Sequence, residues 1–80
     1  KMGLEENERE KVYSQILSYF DKIKDEKLNS FLTTYFMEHK DLIKVMPAAK
    51  MMHHNYVGGL MVHILECLQY EQFRLQIQSR

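Results

Sequence analysis

Between Glu5 and Lys24 the apolar residues fall at Val12, Ile16, Tyr19, Phe20 and Ile23, the i, i+4, i+7, i+8, i+11 spacing of one face of a helix. Glu5, Glu6 and Glu8 gather at the start of this segment and Lys22 and Lys24 at its end, the polarity that the helix dipole favours. A second stripe of the same period, Leu28, Phe31, Leu32, Tyr35 and Phe36, follows the charged break Lys24-Asp25-Glu26-Lys27. The pattern predicts two helices joined by a tight hairpin or bend, each with an apolar face that must meet something.

Asp41 to Met46 reads as a further turn or short helix offering Leu42, Ile43, Val45 and Met46 for burial, and Pro47 ends it. Ala48 to Gly59 has no clean period, and the pair Gly58-Gly59 disfavours a helix interior at about 1 kcal/mol per glycine; this stretch reads as a structured loop. From Leu60 the helical period returns, with Leu60, Ile64, Cys67 and Leu68 on one stripe and His63 beside them, while Glu71 to Arg80 either extends that helix or frays. The expected fold class is all-α: residues 1–80 form one helical unit, a bundle of three to four helices, with no internal repeat or interdomain linker.

Composition narrows what such a bundle does. With 45% hydrophobic residues, nine aromatics and one proline, the chain has the makings of a core, although one of this size buries only about 60–65% of the surface exposed when unfolded. Lysine plus arginine equals aspartate plus glutamate at 11 each, so any phosphate recognition has to be local. No apolar run approaches the roughly 20 residues that cross a bilayer, and no charged-then-apolar leader opens the chain, so the expected location is cytoplasmic, with no membrane partner. The single cysteine forms no internal disulfide, in keeping with that compartment.

Candidate chemistry concentrates in one segment. His53, His54 and His63 lie within eleven residues and enclose Tyr56 and both glycines. Imidazole ligates transition metals and titrates near neutrality. The spacing is not that of an HExxH helix, and one cysteine without a CxxC excludes a thiolate zinc finger. His63 and Cys67 are four apart and share a helix face, which permits a two-ligand half-site. The plainer alternatives stand beside these: a hydrogen-bonded core histidine, a buried inert thiol, glycines present for backbone conformation, Lys50 as a solvated charge, and Met46, Met51, Met52 and Met61 as core filler.

The string from Pro47 to His63, PAAKMMHHNYVGGLMVH, resembles the entry to the HD domain of YhaM-type 3′-5′ exoribonucleases, within the HD superfamily of metal-dependent phosphohydrolases. The likeness covers residues 23–70. It implies a partial HD-like helical bundle that binds a divalent metal ion (Mn, Fe, Ni, Zn or Mg), with His63 as first ligand and His54 and His53 assisting. On the substrate side it implies Lys50, Tyr56, Gly58 and Gly59 beside a phosphate-containing substrate such as RNA or a nucleotide. The family's His-Asp dipeptide is absent from these residues, so the resemblance implies the N-terminal portion of a phosphodiesterase, catalytically silent as it stands. The competing expectation is a non-catalytic helical module that self-associates or takes a partner helix on its exposed apolar faces.

Overall fold

A computed structural model describes residues 3–48 and 54–78 of the chain. Among these are four α-helices, α1 (Glu6–Asp21), α2 (Glu26–Glu38), α3 (Lys40–Val45) and α4 (Gly59–Gln78), and one isolated β-bridge between Gly3 and Val57. The architecture is a small all-α bundle. α1 lies against α4 and α2, and the short α3 wedges among all three.

Local chemistry sets the helix ends. The Glu5 amide donates to Glu8 Oε1 at 2.9 Å, closing one side of a capping box at the start of α1. Asp25 caps α2 by accepting from the Leu28 amide at 3.1 Å, so the charged break does mark the end of one helix and the start of the next. Between them, Asn29 Nδ2 donates to the Ile23 carbonyl at 3.2 Å and holds the bend closed. His39 ends α2 and begins α3 within a single residue (φ −113°, ψ 26°).

The core is built from Tyr13, Ile16 and Phe20 of α1, Phe36 of α2, Ile43 of α3, and Met61 and Leu65 of α4. Ile16 and Met61 are fully enclosed, and each such side chain contributes about 1.5–3 kcal/mol relative to exposure. Phe36 sits at the centre, stacked on Tyr13 and edge-on to Phe20. Tyr13, which the periodicity of α1 leaves outside the stripe, is buried because its hydroxyl donates to the Phe36 carbonyl at 2.8 Å; burial pushes that phenol above its ordinary pKa.

Two stripes turn out differently from the pattern. On α2 only Phe36 is buried, whereas Leu28, Phe31 and Tyr35 stand in solvent, because α1 and α3 cover one side of that helix alone. On α4 the innermost residues are Met61 and Leu65, rotated by one position from the Leu60/Ile64/Leu68 row, and Cys67 is exposed.

Lys44 is the second departure. It is nearly inaccessible, and its Nζ donates to Glu6 Oε2 at 2.8 Å and Glu10 Oε1 at 2.6 Å, tying α3 to the first turns of α1. Hydrogen bonds from Lys44 hold both carboxyls below the ordinary 4.5, and the same bonds, that to Glu10 first, hold the ammonium above 10.5. The carboxylates therefore contribute stability that is present above their unfolded pKa and lost as pH falls through the folded one. Lys44 contributes stability that is present below its unfolded pKa and lost as pH rises through the folded one.

Thermal unfolding followed by circular dichroism is expected to give a flat Tm between about pH 5.5 and 9.5 and a fall on either side, with both limbs shallower in Lys44→Met; an acid limb unchanged by that substitution would contradict the assignment. Ile16→Ala, which empties a fully enclosed site, is expected to destabilise the bundle by about 2–5 kcal/mol in urea titration.

Candidate functional site

The segment leading into α4 is held by backbone bonds. The amides of Gly58 and Leu60 donate to the carbonyls of Val45 and Met46, the last of α3, at 3.3 and 3.0 Å, and the Gly59 amide donates to Tyr56 at 2.8 Å. The first two N–H groups of α4, those of Gly59 and Leu60, which would otherwise be free to meet an anion, are thus taken up inside the chain. The His54 carbonyl accepts from both Ala48 and Tyr56 and presses against the helix start so closely that a Cβ on Gly59 would lie 1.7 Å from it. Gly58 adopts φ +86°, a left-handed conformation that glycine takes without strain. Both glycines have a backbone reason to be where they are.

The imidazole of His54 is buried at 3% exposure. Its Nε2 lies 3.1 Å from Glu66 Oε1, a contact from the loop to the middle of α4. His63, half-buried one turn before Glu66, places its ring 5.2 Å from that of His54, and Tyr56 flanks His54 at 6.3 Å between ring centroids. Cys67 Sγ is 3.8 Å from His63 Nε2. The structure therefore brings together His54, His63 and Tyr56 of the expected site residues and adds Glu66, which carries no motif in the sequence. His53 and Lys50 lie outside the described residues.

Among the described residues no group of three or more His, Cys, Asp or Glu side chains is placed to hold a metal ion. The nearest assembly is the pair of imidazoles with Glu66, and there His54 Nε2 already faces the carboxylate from within the packed loop. The contact joins the loop to α4.

A protein-family model described as "Putative helicase", TraI_2, matches residues 3–78. The chain belongs to the TraI_2 family. The match takes in all four helices, where the HD resemblance covered residues 23–70 and drew its motif from the Pro47–His63 string. No curated protein and no solved structure matches the chain.

This finding overturns the assignment to the HD superfamily and to YhaM-type exoribonucleases, and with it the reading as part of a metal-dependent phosphodiesterase. The alternative of a non-catalytic self-association module gains nothing from the comparison either. The physical reason the string misleads is visible in the bundle. Much of the PAAK…HHxYxGGL…H segment consists of residues that the turn into α4 needs for its own geometry: Ala48 buried, Gly58 at positive φ, Gly59 against a carbonyl, Met61 in the core. A similar sequence can serve the same turn without the same chemistry. In the TraI_2 chain none of the three glycines stands in a G-x-x-x-x-G-K-[ST] sequence, so the P-loop arrangement that cradles nucleotide phosphates is not encoded in these residues.

The basic side chains outside the ion-pair network were not singled out by periodicity. Lys22, Lys24 and Lys27 are exposed at the α1–α2 corner, and no described carboxylate lies within ion-pairing distance of them. Lys22 Nζ rests over the Tyr19 ring at 5.2 Å.

Because the Gly59 contact involves a backbone carbonyl that is itself doubly bonded, Gly59→Ala is expected to displace the start of α4 and cost more than about 2 kcal/mol in chemical denaturation. Gly58→Ala should cost about 1–3 kcal/mol from its positive φ. Equal stability of Gly59→Ala and the parent chain would show that the loop does not depend on this approach.

Proposed function

We propose that this chain is a nucleic-acid-binding helical module of a helicase, engaging a strand while duplex separation is driven by chemistry outside these 80 residues. The observation that carries the reading is the family match across residues 3–78. Helicases must hold a strand as well as break pairs, and the absence of a P-loop sequence here leaves the holding role as the one this bundle fits.

The charge distribution supports a modest electrostatic component. With zero net charge the chain as a whole has no attraction for a polyanion, and its acidic α1 start is already matched by Lys44, Lys40 and Arg9. Lys11, Lys22, Lys24 and Lys27 are exposed outside the described ion pairs, the last three interleaved with Asp21, Asp25 and Glu26, so at most a few phosphate contacts and a shallow dependence on salt are expected, with a log–log slope no steeper than about −2 on a single strand.

Fluorescence anisotropy of the purified chain against 5′-labelled single-stranded and duplex oligonucleotides tests this. Saturable binding is expected with Kd of about 10⁻⁶–10⁻⁴ M near 0.1 M salt, without ATP hydrolysis. Failure of both oligonucleotides to bind at millimolar chain would refute the reading.

A further inference from the structure

We draw no further inference here: the strongest candidate, the surface patch where Leu42 and Val45 of α3 lie exposed with Met37 and Met46 beside them, is an unpartnered apolar face, and nothing in the structure shows what covers it.

Discussion

The bundle depends on a splice between helices that have no side-chain cap in common. The last carbonyls of α3, Val45 and Met46, receive the amides of Gly58 and Leu60 at the head of α4, so the intervening loop is closed at its base by backbone alone. Buried peptide groups left without partners would each cost about 1–3 kcal/mol; here the end of one helix satisfies the beginning of another. The approach requires Gly59, whose missing side chain lets the His54 carbonyl sit against it, and Gly58, whose positive φ turns the chain inward. Once this seam is closed, Met61 and Leu65 join Ile16 and Phe36 in the buried cluster.

A second constraint acts from the other side. Lys44, shielded from solvent between Glu6 and Glu10, joins the short α3 to α1 by an ion pair where an aliphatic contact would have served. An ammonium in such a position is tolerated because both carboxylates bond it directly, and removal of one partner from a shielded pair is more disruptive than the net worth of the pair suggests. The α3 segment, only six residues long, has little intrinsic stability and owes its place to these bonds and to Ile43.

Much of the fold was legible in the chain. The positions of α1 and α2, the break between them at a capping aspartate, the stop near Pro47 and the return to helix after the glycine pair all follow from period and punctuation. The reading failed where a tertiary bond overrode the pattern. Tyr13 is drawn inward by the Phe36 carbonyl, Lys44 by two carboxylates on a helix 34 to 38 residues away in sequence. The α2 stripe looked like core from Leu28 to Phe36, yet periodicity states only that a face is apolar; it does not state that a neighbour exists to cover it. In the histidine segment, proximity in sequence did correspond to proximity in space for His54 and His63, whereas Glu66, an ordinary helical glutamate in the sequence, became a partner only when the loop folded back. The resemblance to a phosphohydrolase came from residues whose backbone duties are independent of metal chemistry, and so the string was informative about the turn and misleading about the reaction.

His39 ends one helix and begins the next with no spacer between them. The angle at which α2 meets α3 is therefore governed by two torsions of a single residue, and that residue also carries a ring that lies against the exposed Tyr35. Orientation of the imidazole and direction of α3 share one pivot, so a load applied to the outer surface of the molecule at this point is borne by the joint that seats Ile43 and Lys44 in its interior.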